Sequence, residues 1–254
     1  MATVTQPAAA GAPALDWKGS PIRKTMFEIL ECCNTNFRPL YVHVAKDVIR
    51  LAREHGLTHI VELGAGTAPM TKALAEDPDA TGLQLTACDL VPDVEAYHEL
   101  ERRYPGRVTA ITTPVDYSQP HDWGPSALLL LVGTFPGVPA EIRPRVLAAL
   151  TQSSKLVMVY EPLRKSAFSI LMSICSLVPG LALPLVWINR PGRLRRFLWC
   201  WIVPAAPLLY MLDGLRWCLR CLTSAEWRRA LAPELGGSRT LSIESGPNSQ
   251  VVIW

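Results

Sequence analysis

The stretch Val61-Glu62-Leu63-Gly64-Ala65-Gly66-Thr67-Ala68 constrains this chain more than any other, because an apolar run ends there in an acid and two alternating glycines. The preceding Thr58-His59-Ile60-Val61 has the short β-branched character of a buried parallel strand, and Met70-Thr71-Lys72-Ala73-Leu74-Ala75 resumes with good helix formers. The segment therefore reads as a strand-to-helix turn. Glycine at Gly64 and Gly66 permits backbone angles closed to other residues and lets a ligand pack on bare main chain, while the following helix aims free N–H groups at it. That combination is suited to holding a nucleoside. A dinucleotide fingerprint would need a third glycine three positions after Gly66. Pro69 stands there instead, which suits the first turn of a helix and argues against nicotinamide or flavin binding.

The rest of the chain alternates in the same sense. After a mostly helical stretch from Thr25 to Glu54, interrupted at Phe37-Arg38-Pro39, strands are expected at Leu83–Cys88, Val108–Thr112, Ala127–Val132 and Leu156–Tyr160. Helices are expected at Asp93–Tyr104 and Ala140–Leu150 between them. Strands and helices at this spacing imply a doubly wound parallel sheet. A helix opening at Ser224, then Arg239–Glu244 and Gln250–Ile253 around the turn residues Gly246-Pro247-Asn248, predict a closing β-hairpin.

The acid-x-Gly-x-Gly turn of residues 62–66, in this setting, resembles the first motif of the class I S-adenosylmethionine-dependent methyltransferases, with Ala68 departing at the third small position. The resemblance covers about Leu57–Glu161 and Thr223–Trp254. It implies an α/β, Rossmann-like doubly wound sheet whose antiparallel C-terminal hairpin places the last strand beside the fifth, and S-adenosyl-L-methionine as cofactor. Ligands of open parallel sheets sit beyond the carboxyl ends of the strands, so the strand-terminating residues are the candidates. Asp89 is placed to accept from both ribose hydroxyls, the role the resemblance gives the acid after the second strand. Asp116 is suited to the adenine amino group or, alternatively, to helix capping. The resemblance puts Glu62 near the methionine amino end, partly through water, and Gly133-Thr134 could offer carbonyls to the same ammonium. Leu63, Ala65, Leu90 and Val115 complete the expected cofactor shell. Methyl transfer needs alignment of the acceptor and at most removal of one proton. Glu161, His121, Tyr41 and His43 are the candidates for that task, each weighed against an ordinary structural role, with Glu161 best placed at the end of the fifth strand.

Composition bounds the remaining choices. The chain of 254 residues suits one α/β domain with an added subdomain. A net charge of +3 with 19% charged residues, and no basic stripe interleaved with aromatics, gives no nucleic-acid footprint. Seven cysteines form no disulfide-framework pattern and fit a reducing compartment. Cys218 and Cys221 make one C-x-x-C without the two further ligands of a zinc site, so no metal is expected. Met1–Ala14, with no basic start and no apolar segment, reads as part of a disordered lead over residues 1–20 and not as a signal peptide.

A mean hydropathy of +0.18 is high for a soluble enzyme, and the excess is localised. Ala167–Ile188 carries no charge over 22 residues and Phe197–Leu212 none over 16, around Asn189-Arg190-Pro191-Gly192-Arg193-Leu194-Arg195-Arg196. As helices these reach roughly 33 and 24 Å against a hydrocarbon core of about 30 Å. A spanning hairpin would also put four arginines on the side away from the cofactor, against the positive-inside tendency. Prolines 179, 184, 204 and 207 and Gly180 favour a shallow hairpin in the cytoplasmic leaflet, its arginines on phosphates and Trp187, Trp199, Trp201 and Tyr210 at interfacial depth. The alternative is a soluble helical cap or a homodimer contact. Either version puts apolar walls on the acceptor side. The expected organisation is a lead (1–20), an N-terminal helical cap (21–56), a methyltransferase domain (57–164 and 222–254) and an apolar helical insertion (165–221). The expected activity is methyl transfer to a hydrophobic small molecule or lipid on the cytoplasmic side of a membrane. The rival is a non-catalytic membrane adaptor that keeps the fold.

Overall fold

A computed structural model describes residues 20–36, 38–236, 239–247 and 249–254. The expected disordered lead lies outside these residues except for Ser20, as does Asn248 of the predicted hairpin turn. The elements run α1 (Pro21–Asn36), α2 (Arg38–Glu54), β1 (His59–Leu63), α3 (Pro69–Glu76), β2 (Gln84–Cys88), α4 (Val94–Arg103), β3 (Val108–Ala110) and β4 (Ala127–Val132). They continue with α5 (Arg143–Ser153), β5 (Leu156–Glu161), α6 (Ala167–Cys175), α7 (Leu177–Val186), α8 (Arg193–Phe197), α9 (Ala205–Arg220), α10 (Ser224–Leu231), β6 (Ser242–Ser245) and β7 (Gln250–Ile253). A π turn, Leu198–Ile202, prolongs α8.

The chain folds into two compact units: the described part of Met1–Cys33 with Ser176–Met211, and Asn34–Cys175 with Leu212–Trp254. This division differs from the sequence expectation at both ends of the insertion. The first helix sides with the insertion and not with α2, because Ile29, Cys32 and Cys33 share a core with Leu183, Trp187, Cys200 and Ala206.

In the larger unit the strand order is β3-β2-β1-β4-β5-β7-β6, with β7 antiparallel to β5 and β6 and the remaining pairs parallel. The doubly wound sheet with its closing hairpin is therefore as expected. Strands buried on both faces need apolar residues at every position, and β4, Ala-Leu-Leu-Leu-Leu-Val, supplies them. Leu128 and Leu130 face one core with Val48, Met70, Leu74 and Tyr97 of α2, α3 and α4. Leu129 and Leu131 face the other, with Val146, Leu150, Trp227 and Trp254. The helix after β4 begins later than expected, at Arg143, because Pro139 precedes a separate 3-10 turn and Pro144 enters the first helical turn. On α10 a full capping box, Thr223 with Glu226, fixes the entry and seats Trp227 between Phe135 and Trp254.

Candidate functional site: the carboxyl edge of the sheet

The strand order reverses direction between β1 and β4, so their carboxyl ends form the switch point where such sheets bind ligands. Gly64 (φ +70°), Gly66 (φ +57°) and Ala68 (φ +54°) all adopt the left-handed region, which turns the chain out of β1 and into α3. The two glycines do different jobs. A Cβ on Gly64 would run into the methyl of Thr134, whose hydroxyl donates to the Gly64 carbonyl at 3.3 Å. A Cβ on Gly66 would meet nothing within 4 Å, which leaves bare main chain facing open space. Ala65 donates to Cys88 O at 3.0 Å and Leu63 is buried below, so the turn is tied to the end of β2.

Asp89 holds this turn directly. One carboxylate oxygen accepts the Gly66 N–H at 2.8 Å and the other accepts the Val91 N–H at 2.8 Å. A carboxylate offers about four acceptor positions, so two remain for hydroxyls of a ligand lying on Gly66. Val115 is buried and donates its N–H to Asp89 O, while Leu90 is half exposed beside it. Asp116 follows on the exposed side and accepts the Ser118 N–H at 2.9 Å, closing a turn of its own loop. The chain thus brings Gly64, Gly66, Asp89, Leu90, Val115 and Asp116 to one edge.

Glu62 is 3% exposed and accepts from both the N–H (2.8 Å) and the hydroxyl of Thr71. Burial pushes its carboxyl up to about 7, opposed by those two hydrogen bonds. Tyr41, on α2, is half buried against the core beneath β1, and its hydroxyl is raised to about 12, first by burial and then by the charges of Glu62 and Tyr160. Glu161 is likewise 3% exposed. Its Oε1 accepts the Phe135 N–H at 3.1 Å, whereas Oε2 closes no hydrogen bond although the Trp217 indole and the Thr134 amide lie near. Desolvation raises this carboxyl to about 8, so it is mostly protonated at neutral pH. Gly133 (φ +57°) donates to Tyr160 O at 2.8 Å and holds the β4 and β5 ends in register.

One of the four proton-handling candidates, His43, is not brought to this edge, and a second, His121, meets it only at the Asp116 carbonyl. His121 is drawn toward the carboxyl end of α5, where its N–H donates to Ser153 Oγ at 2.9 Å while its ring reaches the Asp116 carbonyl. His43 lies on the exposed face of α2. Sequence reasoning also passed over Thr71 and Trp217. Thr71 carried a readable signal, a hydroxyl in the first turn of the helix after an acid-bearing strand. Trp217, whose ring packs over Gly137, carried none, because α9 returns to the sheet from far along the chain. A concavity of about 640 Å³ along α4, lined by Val94, Glu95, His98, Glu101 and Arg102, gathers nothing a nucleoside requires. Among the described residues no group of three His, Cys, Asp or Glu is placed to hold a metal ion.

No protein-family model matches the sequence, and no curated protein matches it. Solved structures do match the fold. The plantazolicin methyltransferase BpumL in complex with SAH superposes with a TM-score of 0.58 at 12% identity, covering 93% of this chain and 91% of its own. Magnesium protoporphyrin IX methyltransferase ChlM from Synechocystis PCC 6803, with bound SAH, gives 0.52 at 12% identity, covering 87% and 85%. The methyltransferase domain of bacterial CtHen1 gives 0.52 at 10%, covering 82% and 95%. The chain has the Rossmann-like fold of the class I S-adenosylmethionine-dependent methyltransferases.

Proposed function

We propose that this protein transfers a methyl group from S-adenosyl-L-methionine to a hydrophobic small molecule or lipid (a quinone, terpenoid, polyketide or lipid head group) at the cytoplasmic leaflet of a membrane. The observation that carries the cofactor reading is the Gly66 turn: open main chain at the switch point, its amide held by Asp89. Bound there, the cofactor would supply an already activated methyl group. Asp89 would hold the ribose, Gly64, Ala65 and Gly66 the nucleoside face, Leu90 and Val115 the base, and Asp116 its amino group. Glu62 and Thr71 would fix the loop that carries the methionine end. Tyr41 is the group left to orient an acceptor or hold its proton, since Glu161, being mostly protonated, acts as a hydrogen-bonding acid more than as a base.

The acceptor class rests on apolar surface. Ala167–Val186 is long and apolar enough to cross a membrane, and only 28% of its most apolar window is buried. Arg193–Ile202 and Ala205–Arg220 pass the same test only as a pair bent by 69°, which fits a shallow hairpin better than a second span. The competing reading is a membrane adaptor that keeps the fold without the activity.

Calorimetry of the full chain with S-adenosyl-L-methionine separates these. The enzyme reading expects saturable binding, lost in Asp89→Ala and Gly64→Arg, and absence of binding by the intact chain would sink it. Incubating lipid extracts with methyl-labelled cofactor then identifies the acceptor by its gain of label.

A further inference from the structure

Four arginines lie in the turn between the two apolar stretches, and the simplest expectation sets all four on lipid phosphates. Three of them point elsewhere. Arg196 is fully buried: its guanidinium donates to the carbonyls of Pro191 (2.7 Å), Trp187 (2.9 Å) and Arg190 (2.6 Å) and pairs with Glu28 at 3.3 Å. Arg195 pairs with the same Glu28 at 2.6 Å, and Arg190 pairs with Glu31 at 3.1 Å while lying over the Trp187 ring at 3.9 Å. These arginines serve α1 and the turn, and of the four only Arg193 is exposed without an ion pair among the described residues.

The outward surface is apolar instead. On α8 and its π turn the residues Leu194, Phe197, Leu198 and Trp201 repeat at helical spacing and are all exposed, Leu194 to 77%, while Arg196 and Cys200 face the core. On α7, Val178, Leu181 and Leu185 form a second exposed stripe opposite the buried Gly180 and Leu183. Trp201 anchors one to the other through its indole N–H, which donates to Leu181 O at 2.7 Å. Of the aromatics expected at interfacial depth, Trp187 is buried and Trp199 and Tyr210 are partly buried in the unit's core, so Trp201 alone presents its ring as the reading requires. A cation turned inward and leucines turned outward invert the pattern of a helix facing water. Uncharged apolar patches of this extent mark a surface that is covered in use.

We infer that this unit docks on the interfacial zone of a lipid bilayer by inserting these two uncharged stripes, and that lipid charge contributes little to the attachment. The inference rests on the membrane reading above and adds its mode. Charge decides the occupant: a face without charge is complementary to acyl chains, and three of the four arginines that would favour an anionic surface are engaged by the two carboxylates of Glu28 and Glu31 and by main-chain carbonyls.

The test is sedimentation of the full chain with phosphatidylcholine vesicles and with vesicles carrying about 30% phosphatidylglycerol, a content sufficient to attract basic segments. Similar binding to both is expected, changing less than about threefold when salt is raised from roughly 0.1 to 1 M. Phe197→Asp is expected to weaken binding at least about tenfold, the worth of one buried aromatic side chain, and Arg193→Glu to leave phosphatidylcholine binding unchanged. Both positions are exposed, and far-ultraviolet dichroism of each variant checks that it folds. Independently, brominated lipids should quench tryptophan emission, and Trp201→Phe should remove most of that quenching. Binding confined to anionic vesicles with steep salt dependence would overturn the inference and leave the membrane reading standing. Binding to no vesicle, with dimerisation abolished by Phe197→Asp, would overturn both. Cofactor binding is measured without lipid, so its failure is read separately.

Discussion

The carboxyl edge of the sheet and the Ser176–Met211 unit both bury ionisable groups, and they deal with them in opposite ways. At the sheet edge Glu62 and Glu161 sit almost fully buried with no cation paired to either among the described residues, and both are driven toward the neutral acid, to about 7 and about 8. In the other unit Arg196 is buried just as deeply but is surrounded by three carbonyls and Glu28. The difference follows from chemistry. A carboxyl can escape the cost of burial by taking a proton, whereas a guanidinium cannot lose one in a protein and must be paired. The sheet edge therefore keeps adjustable polar groups close to the open Gly66 turn, and the second unit uses fixed charge as a structural lock beneath an apolar exterior.

The largest effect that would break this contrast is at Gly64. Gly64→Val adds a Cβ against Thr134 and imposes a left-handed φ on a β-branched residue, so a loss of roughly 3 kcal/mol or more and at least hundredfold weaker cofactor binding are expected. Gly66→Ala meets no atom, and its stability cost should stay near the backbone strain of about 1 kcal/mol. Thermal melts with and without S-adenosyl-L-methionine measure both. If the two variants melt alike, Thr134 does not fill the space above Gly64.

Next comes the lock. Arg196→Ala leaves Glu28 half-paired and three carbonyls without their donor, and is expected to cost about 3–5 kcal/mol locally. Limited proteolysis should then cut the Trp187–Arg196 turn while calorimetry finds cofactor affinity unchanged. Loss of cofactor binding in this variant would show that the units are energetically one.

Glu161 supplies the pH test. Its folded pKa lies above the unfolded value, so its contribution to stability is fully present below about 4.5 and is lost progressively as pH rises to about 8. Gln keeps the carbonyl that accepts the Phe135 N–H but cannot ionise, so Glu161→Gln should be more stable than the parent at pH 8, by on the order of a few kcal/mol, and close to it at pH 4.5. Urea midpoints across that window are the measurement. Equal slopes for parent and variant would place the titration elsewhere, Glu62 being the first candidate.

What the sequence made legible divides along the same line. Strands β4 and β7 begin and end where the sequence places them: β4, buried on both faces, leaves its whole length in the composition, and β7, buried at alternate residues, is bounded by the turn before it. The positions of Gly66, Glu62 and Asp89 were legible for a similar reason: their hydrogen-bond partners lie within about thirty residues and β1–α3–β2 is one local unit, whereas the Thr134 methyl against Gly64 comes from 70 residues away and was not. The inward arginines were not. Their orientation depends on Glu28, far away in the chain, and an Arg-rich turn between apolar helices looks the same whether its charges meet lipid or protein. The surroundings of His121 were hidden for the same cause, since only the folded loop shows Ser153 taking its backbone N–H and the Asp116 carbonyl meeting its ring.

The smallest effect isolates the one departure from the glycine pattern. Ala68 caps α3 with φ +54° and ψ +45°, is buried, and has no side-chain cap, its N–H donating to Ala65 O at 2.7 Å. A left-handed conformation costs a residue with a Cβ about 1–2 kcal/mol, and glycine returns about 0.5–1 of that through its greater freedom in the unfolded chain. Ala68→Gly should therefore raise stability by roughly half to one kcal/mol, with an unchanged denaturant slope and unchanged cofactor affinity. A loss of stability would mean that the buried methyl of Ala68 contributes more packing than its backbone stores in strain. In that case the third position of the turn serves the core beneath β1 and not the ligand above it.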